Sequence, residues 1–84
     1  MLIPAEARQN IDYPVNVQGV FYMPTRRECD LTNMLEALCD VLSDAGVISD
    51  DNYKVVAGHD GSRVLYDKEH PRTEVIITRL GVEE

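Results

Sequence analysis

Between Leu31 and Ala45 the apolar positions recur at intervals of three and four: Leu31, Met34, Leu35, Leu38, Val41, Leu42 and Ala45. On a helix of 3.6 residues per turn these form one stripe, with Asn33, Ala37, Asp40 and Asp44 on the opposite arc and Glu36 at its margin. Asp30 stands at the N-cap position, where a carboxylate accepts a bond from a first-turn N–H. Gly46 stands where the helix ends, because glycine takes positive φ without strain. The spacing predicts an amphipathic helix between these two residues. A short apolar step, Val47-Ile48, then leads to the pair Asp50-Asp51.

Elsewhere the period is two. From Tyr13 to Met23, Val15, Val17, Phe21 and Met23 fall on one face and Val20 and Tyr22 on the other, with Gly19 marking a bulge or a close approach. Apolar groups on both faces fit a central or dimer-covered strand. Tyr53 to Ala57 reads as a second strand, Gly58-His59-Asp60-Gly61 as a turn, and Arg63 to Tyr66 as a short third strand. Thr73 to Leu80 is the last, with Val75 and Ile77 opposing Ile76 and Thr78. The order strand, helix, strand, strand predicts a small α+β domain, its helix packed on a small mixed sheet. Residues 1–84 read as a single domain with its core over 13–80. Within 1–12, Pro4 to Asn10 is the end of a helix or a loose arm.

Composition adjusts this picture in three ways. Eighty-four residues bury a modest core, so a homodimer or a stabilising ligand is expected. No run of eighteen apolar residues is present, so no membrane span is expected, and Met1-Leu2-Ile3-Pro4 lacks the basic flank of a signal peptide. Cys29 and Cys39 show no ligand spacing, so they read as reduced thiols, Cys39 on the helix margin, in a cytoplasmic protein. His59 and His70, eleven residues apart in loops with no regular spacing, read first as solvated loop histidines, with metal or acid–base roles as the alternative. The formal charge of −7 repels polyphosphates at long range. Against it stand Arg26-Arg27, Lys54, Arg63, Lys68 and Arg72, either scattered charge or a patch. The acidic groups before, along and after the helix are either solvated surface or a site for a divalent metal.

The ungapped run D-L-T-N-M-L-E-A-L-C-D-V-L-S-D-A-G-V-I-S-D-D, Asp30 to Asp51, resembles the signature of the RusA family of Holliday-junction resolvases. That signature has basic residues, then D-L-D-N-L-x-K-A-x-x-D-A-L, a glycine near the helix end and a D-D pair. The strand and basic pair over Val15–Arg27 and the final strand over Thr73–Leu80 fit as well, so the resemblance covers roughly the last seventy residues. It implies a dimeric, Mg²⁺-dependent endonuclease (Mn²⁺ as a substitute) that nicks four-way DNA junctions, usually encoded by phages or prophages. Mg²⁺ held by a few carboxylates would activate water and offset the charge of the developing oxyanion. Residue by residue, Asp30 matches the family's first catalytic aspartate and Asp51 its last, while Asn33, Asp40 and Asp50 match signature positions. Asp30, Asp40, Asp50 and Asp51 are thus the implied metal set. Arg26, Arg27, Lys54, Arg63 and Arg72 are the groups expected to engage phosphates.

Two positions depart from the signature. Thr32 stands where the family has its second catalytic aspartate, and Glu36 where it has a lysine expected to meet phosphate. Glu36, one turn beyond Thr32, is a candidate replacement carboxylate. The family also places a strand and a helix ahead of the segment matching Tyr13–Met23. Two readings follow. One is a divergent junction endonuclease using Asp30, Asp51 and Glu36; the other is a catalytically degenerate, shortened dimer with a scaffold or interaction role.

Overall fold

The computed structural model describes residues 5–80. A 3₁₀ turn, Ala5–Ala7, precedes strand β1 (Val15–Met23), helix α1 (Leu31–Asp44), and strands β2 (Val56–Gly58), β3 (Arg63–Tyr66) and β4 (Arg72–Arg79). The chain is a small α+β domain, one helix on a four-stranded mixed sheet. Strand β1 is its centre. Along one edge it pairs in parallel with β2 at Val15 and Asn16, then with β3 from Val20 to Met23. Along the other edge it pairs antiparallel with β4 from Val15↔Arg79 to Tyr22↔Arg72.

Helix α1 keeps the limits its pattern predicts. Asp30 caps it, Oδ1 accepting from Thr32 N–H at 3.0 Å. Gly46 ends it at φ 79°, Val47 N–H donating to Leu42 C=O at 2.9 Å and Gly46 N–H to Ser43 C=O at 3.1 Å. That pair of reversed bonds satisfies carbonyls the last turn would leave open. Leu35, Leu38 and Leu42 are buried with Val15, Val17 and Phe21 of β1, each contributing about 2 kcal/mol of apolar burial. Gly19 is the close approach its position suggests: a Cβ there would lie 3.0 Å from Leu38 Cδ2.

Three details differ from the pattern. Cys39 is buried, not marginal, and Val41, on the apolar stripe, is exposed. The second strand starts at Val56, and Tyr53, expected within it, is 78% exposed. Side chains override strand propensity here: Asn52 Oδ1 accepts from Lys54 N–H at 2.9 Å, and Asn52 C=O accepts from Val55 and Val56 N–H at 3.0 and 2.8 Å. Those bonds wind residues 52–55 into a turn. The last strand is offset one residue toward the N-terminus of the predicted span.

The segment ahead of β1 is tied in. Ile11 is buried, bridges Ile48 in parallel, donates to Val47 C=O at 3.0 Å and accepts from Ser49 N–H at 2.8 Å. The core therefore reaches ahead of residue 13. Of the expected Pro4–Asn10 element, Pro4 lies outside the described residues, and Ala5–Ala7 forms the short 3₁₀ turn.

Candidate functional site

The bridge between Ile11 and Ile48 sets the path of the chain after the helix. Asp50 closes the next turn: Oδ1 accepts from Asp51 N–H at 2.7 Å and Oδ2 from Asn52 Nδ2–H at 3.1 Å. With Asp50 so occupied, Asp51 faces a cleft of about 210 Å³ between α1 and β2, lined also by Leu35, Glu36, Cys39, Asp40, Val56 and His59. Glu36 and Asp40 lie one turn apart on α1 and so share its face.

Crowding of like groups marks this cleft electrostatically. The Asp51 carboxyl is pushed above the usual aspartate range, first by its contact with Asp50, then by its contact with Asp40. Two acidic groups that close together resist simultaneous ionisation. The Cys39 thiol in the cleft wall is also raised, mainly by burial and then by Asp51 and Asp40. It is therefore a poor thiolate and a wall, not a nucleophile.

The remaining candidates are distributed. Asp30 is the N-cap and does not line the cleft; ten residues of helix place it about 15 Å along the axis from Asp40. Arg26 and Arg27 are exposed just before α1, the Arg26 guanidinium lying 4.4 Å from the Tyr66 ring centre. Lys54 is exposed in the turn that carries Asp51. Arg63 and Arg72 pair with Val20 and Tyr22, which alternate with the helix-facing Val17, Gly19 and Phe21, so both lie on the far sheet face. Arg72 is also heavily engaged. It bonds Asp67 and Glu74, each at 2.9 Å, and stacks on Tyr22 at 3.7 Å.

Two contacts carried little sequence signal, the first of them outside this cleft. Arg79 stacks on Tyr13 at 4.3 Å, a contact set by the antiparallel register. His59 is half-buried rather than solvated. Its Nδ1 lies 2.9 Å from Val17 C=O, and its ring lines the cleft. The one hint was its place in a glycine-flanked turn directly after a strand.

A mixed sheet with a helix on one face, and carboxylates of the helix and the following turn lining one cleft, defines a small α+β domain with an acidic cleft. A family model described as endodeoxyribonuclease RusA matches residues 2–78, and the chain belongs to that family. The match extends ahead of Tyr13, beyond the seventy residues that carry the resemblance in the sequence. Over 42 residues the chain is 48% identical to the crossover junction endodeoxyribonuclease RusA of Aquifex aeolicus (strain VF5). That stretch is 50% of this chain and 33% of the relative, so the alignment spans about a third of the relative's length.

Proposed function

We propose that this chain is a crossover-junction endodeoxyribonuclease that hydrolyses phosphodiesters at branched DNA, with the Glu36–Asp40–Asp51 cleft as its site. The observation that carries this reading is the approach of Asp51 to Asp40 on the helix bearing the family signature.

The family implies Mg²⁺. Among the described residues no three His, Cys, Asp or Glu side chains gather closely enough to cage an ion. Mg²⁺ does not require a cage: it is commonly held by one or two carboxylates, with water and substrate phosphate completing its octahedron. Asp40 and Asp51 fit that smaller demand and would hold it; Mn²⁺ would serve as well. The bound cation would supply an activated water and charge compensation for the developing oxyanion.

The chain's own residues orient and exclude. Leu35, Cys39 and Val56 form the apolar floor against which Asp40 and Asp51 are set. Glu36 adds a third carboxylate at the position where the family carries lysine. Asp50 holds the turn that presents Asp51. Arg26, Arg27 and Lys54, flanking the two ends of α1, are the phosphate contacts nearest the site in the chain, with Arg63 and Arg72 reaching DNA only from the far face. Asp30 contributes chiefly as the helix cap. A homodimer would present two such clefts to a four-way junction.

Thr32 and Glu36, standing where the family carries aspartate and lysine, favour the second reading, a scaffold without nuclease activity. The two separate in one assay, in which labelled four-way junction and linear duplex are incubated with the chain in Mg²⁺ or Mn²⁺. Cation-dependent, junction-selective nicking is the expected result. A folded protein that binds the junction and never nicks it establishes the scaffold.

A further inference from the structure

The turn that presents Asp51 is a fixed projection. Ile48 and Val55, 1% and 5% exposed, anchor its two ends in the core. Between them Asp50 and Asn52 spend their side chains on the turn itself. Asp50 accepts from Asp51 N–H at 2.7 Å and from Asn52 Nδ2–H at 3.1 Å, and Asn52 Oδ1 accepts from Lys54 N–H at 2.9 Å. Asn52 C=O accepts twice more, from Val55 and Val56 N–H. On this frame stand Asp51, which lines the cleft, and the exposed side chains of Tyr53 and Lys54. Tyr53 is 78% exposed, the most of any large apolar side chain among the described residues. A single exposed ring is ordinary on a protein surface. The mounting of this one is not: a rigid ring, turning about two side-chain bonds, sits on backbone already fixed, so little freedom is lost when it meets a partner. Two residues of chain span at most about 7 Å, so the Tyr53 Cα lies within that distance of the Asp51 Cα, and Lys54 follows directly.

Building on the nuclease reading above, we propose that Tyr53 is the residue that selects branched DNA, its ring stacking on a base face laid open at the crossover, with Lys54 at an adjoining phosphate. In a linear duplex each base face is covered by its neighbours above and below. Where four arms meet, that stacking is interrupted, and an open face can be covered by an aromatic ring instead. Every base has such a face, so the contact selects the branch and is tolerant of sequence. It also supplies what the cleft lacks. Glu36, Asp40 and Asp51 repel phosphate, whereas a stacked ring carries no charge and holds DNA beside them regardless.

The chain contains no tryptophan, so Tyr53→Trp places a single reporter on the turn. With Ca²⁺ present to offset the carboxylates, its emission is expected to be quenched by a four-way junction and little changed by linear duplex of the same sequence. Fluorescence anisotropy of labelled DNA then compares wild type, Tyr53→Phe and Tyr53→Ala. Phenylalanine keeps the ring and is expected to keep wild-type affinity. Alanine is expected to bind the junction roughly tenfold more weakly, with duplex affinity unchanged. The side chain lies outside the core, so all three variants should fold, which circular dichroism checks. An alanine variant with wild-type junction affinity, an equal loss on duplex, a phenylalanine variant as weak as alanine, or tryptophan emission that junction leaves unchanged overturns the proposal. Wild type that binds junction no better than duplex overturns the nuclease reading as well, and that failure appears in the wild-type titration alone.

Discussion

Asp51→Asn is expected to lower junction nicking by about a hundredfold or more while leaving the fold intact. Asparagine keeps the shape and the N–H that Asp50 accepts from, and removes the charge aimed into the cleft. The stability consequence has a definite sign. Contacts with Asp50 and Asp40 raise the Asp51 carboxyl above its ordinary value, so the folded state holds that proton more tightly than the unfolded chain. The stability this supplies is complete below the unfolded pKa and lost as pH rises through the folded one. At neutral pH Asp51→Asn should therefore melt at or above the wild-type temperature, whereas a carboxylate with a purely structural role would lower it when removed. Acidification should narrow the difference. Thermal melts at neutral and acid pH, run beside single-turnover nicking, measure both parts. A variant that nicks normally, or one that loses activity by unfolding, contradicts the assignment of Asp51.

Leu38→Ala is expected to cost about 3–4 kcal/mol, a large part of the roughly 5–15 kcal/mol that holds a domain together. Leu38 is 3% exposed and rests on the bare backbone of Gly19, where β1 offers no side chain to relax into the space. The cavity would stay open. For a chain of this size the melting temperature should fall by more than about 10 °C, read by calorimetry or urea titration. The helix that Leu38 anchors carries Glu36 and Asp40, so nicking should fall at the growth temperature and recover on moderate cooling. A shift of only a degree or two would mean that α1 is held mainly by its neighbours at Leu35 and Leu42.

What could be read from the sequence was what is decided locally. Asp30 and Gly46 announce the ends of α1 because caps act within one turn, and the stripe through Leu35, Leu38 and Leu42 needs no partner to be recognised. The alternation in β1 likewise separated Val15, Val17 and Phe21 from Val20 and Tyr22. The start of β2 was masked by side-chain chemistry: Tyr53-Lys54-Val55 has strand composition, but Asn52 bonds the following amides first. The candidate site was half legible. Its carboxylates stand out as acidic positions around a helix, yet whether Asp51 meets Asp30 or Asp40 depends on the turn after Gly46 and on the bridge to Ile11, 37 residues earlier than Ile48. His59 was hidden for the same reason. Its partner Val17 is 42 residues away, and no local pattern encodes that contact.

Charge also changes meaning in three dimensions. Arg72, one of the basic residues expected on DNA, is stacked on Tyr22 and bonded to Asp67 and Glu74, so much of its charge is compensated at home. The Asp67 carboxyl is correspondingly held below the usual range, first by the His70 backbone N–H and then by Arg72. Lys54 is left as an exposed cation in the turn that carries Asp51, with Arg26 and Arg27 exposed ahead of the other end of α1.

The central claim is that the cation site lies between the middle of α1 and the Asp51 turn. It is tested most directly by titrating Mn²⁺ into the isotopically labelled chain and following the amide resonances, since paramagnetic broadening falls off steeply with distance. The signals of Asp40, Asp51 and their neighbours are expected to vanish first, with Asp30, Leu31 and Thr32 affected late. Broadening that begins at Asp30 and spares Asp40, or no selective broadening anywhere, would contradict it.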